Sequence, residues 1–75
     1  MPHVIVAEIV ANVGQVLVAQ GDAVGPEDQL VILESMKMEI PVLAEVSGVI
    51  SELAVSQGDS IREGDTIAVI EPSKE

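Results

Sequence analysis

Shifting the 75-residue chain by 37 positions lays its first half on its second without a gap, and ten of the 37 pairs are identical. Ala7-Glu8 falls on Ala44-Glu45, Gln20-Gly21-Asp22 on Gln57-Gly58-Asp59, Asp28 on Asp65 and Glu34 on Glu71. Between these positions apolar residues meet apolar residues: Val13 with Ile50, Val16 with Leu53, Val24 with Ile61, Leu30 with Ile67, Ile32 with Val69, Leu33 with Ile70. Two copies are too few for a solenoid, whose units need several neighbours to bury their faces. They fit a closed domain whose halves are related by a pseudo-two-fold axis. The chain therefore reads as a single domain over residues 1–75, with repeats at 1–37 and 38–74.

Each repeat divides into short apolar runs separated by turn residues. The expected strands are Val4–Glu8, Asn12–Val18, Ala23–Val24 and Leu30–Ser35, then Glu39–Ala44, Val49–Val55, Ser60–Ile61 and Thr66–Glu71. Gly21-Asp22, Gly25-Pro26, Gly58-Asp59 and Gly64-Asp65 mark tight turns, where Gly supplies positive φ, Pro presets φ and Asp bonds nearby backbone. Gly21 and Gly58, equivalent in the two halves, are expected either at positive φ or pressed by neighbouring backbone. No segment sustains a helical period without such breakers, so no helix is expected. Hydrophobic residues make up 48% of the chain and none is aromatic. A core of Val, Ile, Leu and Ala suits two closely packed sheets. The predicted fold is all-β, a flattened eight-stranded barrel or sandwich (a barrel-sandwich hybrid) made of two pseudo-two-fold-related halves. With no cysteine, its stability has to come from packing. The pseudo-symmetry also puts the 37/38 junction at one end of the domain and both termini at the other.

The net charge is −10 with only three Lys and Arg. Nucleic acid and anionic membrane surfaces both need clustered cations, so neither is an expected partner. No apolar run is long enough to span a bilayer, and the run from Val4 to Val10 has no basic segment before it, so a cytoplasmic location is expected. No catalytic site is evident. His3 is the only histidine and lies near the N-terminus, and a serine without a base is not activated. The acids Glu27-Asp28 and Glu34/Glu39 read as a solvated turn and strand flanks rather than a metal site. Arg62 reads as a turn residue, and Lys74 as part of a solvated terminus.

The junction Leu33-Glu34-Ser35-Met36-Lys37-Met38-Glu39-Ile40 breaks the local rules. Strands on both sides require a sharp reversal, yet the segment has no Gly, Asn or Pro, the residues that favoured hairpin turns use. Every other turn in the chain has suitable residues. A non-Gly residue forced to positive φ costs about 1–3 kcal/mol, and an isolated violation of this kind marks a functional site. Met36 and Met38 could be gap-filling core residues. They also flank the only lysine in the body of the domain.

Glu34-Ser35-Met36-Lys37-Met38-Glu39 resembles the biotinylation motif E-A-M-K-M of biotin carboxyl carrier domains, in the biotin/lipoyl attachment family. The resemblance covers nearly the whole chain, including the turns Gly21-Asp22 and Gly58-Asp59 and the glycine at Gly48. It implies that Lys37 is presented on a hairpin between the fourth and fifth strands and carries covalent biotin. Met36 and Met38 would then serve recognition, with Glu34, Ser35 and Glu39 flanking. It further implies a biotin protein ligase that attaches the cofactor, and a biotin carboxylase and carboxyltransferase that the carrier meets transiently. The domain itself would be non-catalytic. Three features depart from the family pattern. Ser35 stands where alanine is usual, Ala11 stands at the position repeated as Gly48, and only Ala19-Gln20-Gly21-Asp22 joins the second and third strands. That short link leaves out the protruding thumb of some bacterial carriers. Met1 and the complete repeat lead to the expectation of a free-standing carrier rather than an excised piece. The alternatives are a lipoyl carrier, whose motif usually reads Asp-Lys-Ala, and an adaptor barrel with no prosthetic group.

Overall fold

The structure is a computed structural model that describes residues 1–73, and among these it holds eight strands and no helix. They are β1 (His3–Val6), β2 (Ala11–Val16), β3 (Ala23–Val24), β4 (Gln29–Ser35), β5 (Met38–Leu43), β6 (Gly48–Leu53), β7 (Ser60–Ile61) and β8 (Thr66–Pro72). Two four-stranded antiparallel sheets result, in the orders β1-β8-β6-β3 and β5-β4-β2-β7. Exchanging each strand for its equivalent in the other repeat converts the first order into the second. The irregularities repeat as well. β2 slips register against β4 between Val13 and Gln15, and β6 slips against β8 between Ile50 and Glu52. Such bulges bend a strand and sharpen its twist, which helps a small sheet curl over its core.

Burial follows the repeat. Val13 and Ile50, Leu30 and Ile67, Val31 and Ala68, and Leu33 and Ile70 are all buried, each pair facing inward from equivalent strands, and Ala7 and Ala44, just past β1 and β5, are buried too. Fully burying a side chain such as Leu30 or Ile67 contributes about 1.5–3 kcal/mol. The core is apolar throughout: among the described residues no polar or charged side chain is buried.

The halves are stitched together by their turns. Gly21 N–H donates to Ile50 O and Gly58 N–H to Val13 O, both at 2.8 Å, so each half's Gly-Asp turn bonds a strand of the other half. Gly21 lies at φ 96° and Gly58 at φ 93°, with open space where a Cβ would stand. Positive φ, not crowding, is therefore what these glycines supply. Crowding falls instead on Gly48, where a Cβ would collide with the backbone carbonyl of Glu71. All four aspartates act locally. Asp22, Asp28, Asp59 and Asp65 accept hydrogen bonds from the backbone N–H groups of Ala19, Gly25, Ser56 and Arg62 at 2.8–2.9 Å.

Two expectations need correction. The first, second and sixth strands stop at Val6, Val16 and Leu53, two residues short of the predicted Glu8, Val18 and Val55. Leu17 N–H still reaches Leu30 O, but the chain then curls so that Asp22 takes the N–H of Ala19. The turn at Ala44–Ser47 was expected to use suitable residues, yet Glu45 lies at φ 71°. Its N–H donates to Pro26 O at 2.9 Å, and its carboxylate meets His3 Nε2 at 3.2 Å. These contacts from distant segments hold the unfavourable conformation. Lys74 lies outside the described residues.

Candidate functional site

β4 and β5 pair in register up to Ser35 opposite Met38, which leaves Met36 and Lys37 as a two-residue loop. Their φ values are 53° and 69°. Two successive positive φ angles match the right-handed twist of a hairpin, but Asn-Gly or Asp-Gly normally supplies them. Here a methionine and a lysine do so, at about 1–2 kcal/mol each. The paired strands that run back to Gln29 and Leu43, with Leu33 fully inside, hold the turn closed. The sequence thus accepts local strain to set a lysine at the tip of a rigid hairpin.

The side chains at the tip face solvent. Met36 is 92% exposed and Met38 63%, so neither fills the core. Lys37 is exposed, and among the described residues no carboxylate lies within ion-pairing distance of its amine. A recess of about 390 Å³ surrounds it, bounded by Asn12, Glu34, Ser35, Met38 and Glu39 together with the turn itself. Asn12 stands opposite Glu34, and Glu34 opposite Glu39, forming a polar row across the outer face of β2, β4 and β5. Ser60 Oγ extends the row with a hydrogen bond to Asn12 Oδ1 at 3.0 Å.

The structure therefore brings together all six residues singled out at the junction: Glu34, Ser35, Met36, Lys37, Met38 and Glu39. Sequence reasoning missed Asn12, which reaches the recess from the neighbouring strand. It also missed Gly14, over which the Glu34 side chain lies: a Cβ on Gly14 would sit 2.7 Å from Glu34 Oε2 and 2.8 Å from its Cδ and Cγ. The available signal was that Gly14 falls on Ser51 under the 37-residue shift. A second concavity, about 310 Å³, lies between the edge strands β1 and β5. It is lined mostly by apolar residues such as Ile5, Val6, Ile40 and Val42, with Glu8 and Glu45 as its charged lining residues. His3 and Glu45 sit at the opposite end from Lys37.

What this geometry offers is an exposed primary amine, without an ion-pair partner among the described residues, at the tip of a paired hairpin, suited to acylation and to carrying what is attached. Comparison with known proteins identifies the family. The profile of a family described as biotin-requiring enzyme matches residues 1–70. The biotinylated protein TB7.3 homolog of Mycobacterium leprae is 68% identical over 37 residues, which are 49% of this chain and 52% of that protein. Biotinylated protein TB7.3 of Mycobacterium tuberculosis is 62% identical over the same shares. These matches span about half the length of the curated relatives. Among solved structures, a single-chain, multi-domain long-chain acyl-CoA carboxylase superposes with TM-score 0.89 at 25% identity, over 96% of this chain and 7% of that one. The urea carboxylase of Kluyveromyces lactis gives 0.87 at 31% identity, over 95% of this chain and 6% of that one. The lipoyl domain of the 2-oxoglutarate dehydrogenase complex from Azotobacter vinelandii gives 0.74 at 26% identity, over 92% and 99%.

Proposed function

The chain belongs to the family of biotin-requiring enzymes, and we propose that within it this domain is the carrier, holding biotin in amide linkage on the side-chain nitrogen of Lys37. The observation that carries the assignment is the two-residue turn, in which a non-glycine pair is held at positive φ with the lysine exposed and without an ion-pair partner among the described residues. The cofactor fits the residues present. Amide formation needs an accessible amine, and the shallow polar recess beside Lys37 leaves room for the approach of a modifying enzyme.

When bound, biotin supplies a ureido nitrogen that takes up and gives up a carboxyl group. The chain's own contribution is mechanical. Lys37 is the nucleophile in attachment and thereafter the tether. β4 and β5 keep that tether pointing away from the domain body, and His3 pairs with Ile70 at the far end. Met36 and Met38 offer exposed, adaptable apolar contacts to an enzyme that must find the lysine. Tethering raises the effective concentration of the cofactor at any two sites the arm can span. In this reading a biotin protein ligase loads the chain in the cytoplasm. A biotin carboxylase and a carboxyltransferase supply the catalytic groups for loading and unloading the carboxyl group.

The test is to incubate the folded chain with purified biotin protein ligase, ATP and biotin, and to locate the added mass by tandem mass spectrometry. The expected result is one biotin, on Lys37. Lys37→Arg keeps the charge but is a poor nucleophile, so it should fold with the same β spectrum and accept none. Lys74→Arg should behave like the parent. An unmodified parent, or addition at Lys74, would overturn the assignment.

A further inference from the structure

We propose that Gly14 is a positioning residue for Lys37: its bare Cα seats the Glu34 carboxylate across β2, off the lysine amine, and so keeps that amine unpaired for acylation. The inference rests on Lys37 being the acceptor.

Glu34 and Glu39 stand directly opposite each other on β4 and β5. Like charges in that arrangement repel, so the two side chains gain by leaning apart. Glu34 also precedes Lys37 by three residues, close enough in sequence to fold toward its ammonium. It does neither. The end of its side chain lies flat over Gly14, with Cγ, Cδ and Oε2 all within 2.8 Å of the place a Cβ would take. The seat exists only because that Cβ is missing.

The backbone at this position does not itself call for glycine. Gly14 marks the register slip of β2, and the equivalent slip of β6 is occupied by Ser51, which carries a side chain there without difficulty. Ser51 Oγ donates to Val69 O at 3.1 Å. Both bulges can carry a Cβ, but at position 14 it would displace the end of the exposed Glu34 side chain, and that half is the one whose glutamate borders the presented lysine.

The consequence is chemical. In acylation the nitrogen lone pair attacks the acyl carbon, the leaving group departs with its bonding pair, and the proton passes to base. A carboxylate beside the ammonium favours the charged form, which has no lone pair to give. Holding Glu34 away therefore favours reaction.

The experiment uses the full chain as parent, Gly14→Ala, Gly14→Ser and Gly14→Ala/Glu34→Gln. Acetylation of Lys37 by N-hydroxysulfosuccinimide acetate is timed at fixed pH by peptide mass spectrometry, with the N-terminal amine as internal reference. Gly14→Ala and Gly14→Ser should each slow acetylation of Lys37 by about threefold, the size of effect an exposed ion pair supports. The double variant should return to the parent rate, and ligase-catalysed incorporation should fall in parallel in the two single variants. Gly14→Ser copies the residue already accepted at position 51, so melting curves with this variant separate a positioning effect from misfolding. An unchanged acetylation rate in both single variants overturns the proposal, as does a loss the double variant fails to recover. If the ligase modifies no chain at all, the biotin reading fails, while the acetylation rates still decide the role of Gly14.

Discussion

The two ends of this domain are built from equivalent residues and finish differently. At one end β4 passes into β5 through Met36 and Lys37, both at positive φ. At the other, the equivalent strands β8 and β1 lie side by side, with His3 opposite Ile70, and no turn joins them. The Lys37 end leaves apolar surface in water at Met36 and Met38, and Val10, the equivalent of Ser47, is 69% exposed. The opposite end is drawn shut. Gly48 lets the Glu71 backbone approach closely, and His3 reaches across to Glu45. Where the repeat is kept, it serves the core and the turns that lock the halves together. Where it is broken, at Gly14/Ser51, Val10/Ser47 and Gly25/Arg62, the change alters what one end presents.

The sharpest way to break this comparison is to exchange residues between equivalent positions. Gly48→Ala places a methyl group against the Glu71 carbonyl and should cost about 3 kcal/mol, the upper range for overpacking. The reverse change in the other half, Ala11→Gly, should cost only about 1 kcal/mol from added chain freedom. Denaturant midpoints with unchanged slopes would measure both. Equal losses would show that the two ends are equally tight. A smaller effect should come from the symmetric turns. Gly21→Val and Gly58→Val each force a β-branched residue to positive φ without a steric clash, so each should lose about 1–2 kcal/mol. Losses that differ greatly between them would mean that the halves do not share the work of locking. The least stability change belongs to the open end. Met36→Leu and Met38→Leu should alter stability by no more than about 0.5 kcal/mol, as surface changes do, while slowing ligase-catalysed biotin incorporation. A large loss of stability with normal incorporation would return both methionines to a packing role.

Much of this was legible in the sequence because the repeat carries topology. Once residue 13 is matched to 50 and 33 to 70, the two sheets and the inward faces follow. The site was legible because Ser35-Met36-Lys37-Met38 must turn without any residue that favours turning. What stayed hidden was decided by distant segments. Ala7-Glu8 and Ala44-Glu45 are the same dipeptide at equivalent positions. Of the two glutamates only Glu45 adopts positive φ, where it bonds Pro26 O and meets His3. No local rule separates two identical dipeptides. Gly14 was hidden for the same reason: its value lies in a side chain from β4 that has to be seen lying over it.

The strand order bears on how this chain reaches its fold. Of the six strand pairings, β4 with β5 is the one that joins strands adjacent in sequence. All the others bring together segments separated by at least one intervening strand, and β1 with β8 closes nearly the entire chain. Folding dominated by such distant pairings is slow, because the entropy of closing long loops is spent before contacts repay it. The quickest event open to such a chain is a local hairpin, which forms in about 1–10 μs. Here that hairpin turns through Met36 and Lys37, a pair ill suited to starting it. The residues that present the lysine therefore also slow the one short-range route into the native topology. A sequence optimised for rapid folding would put Asn-Gly at the same place and lose the attachment point.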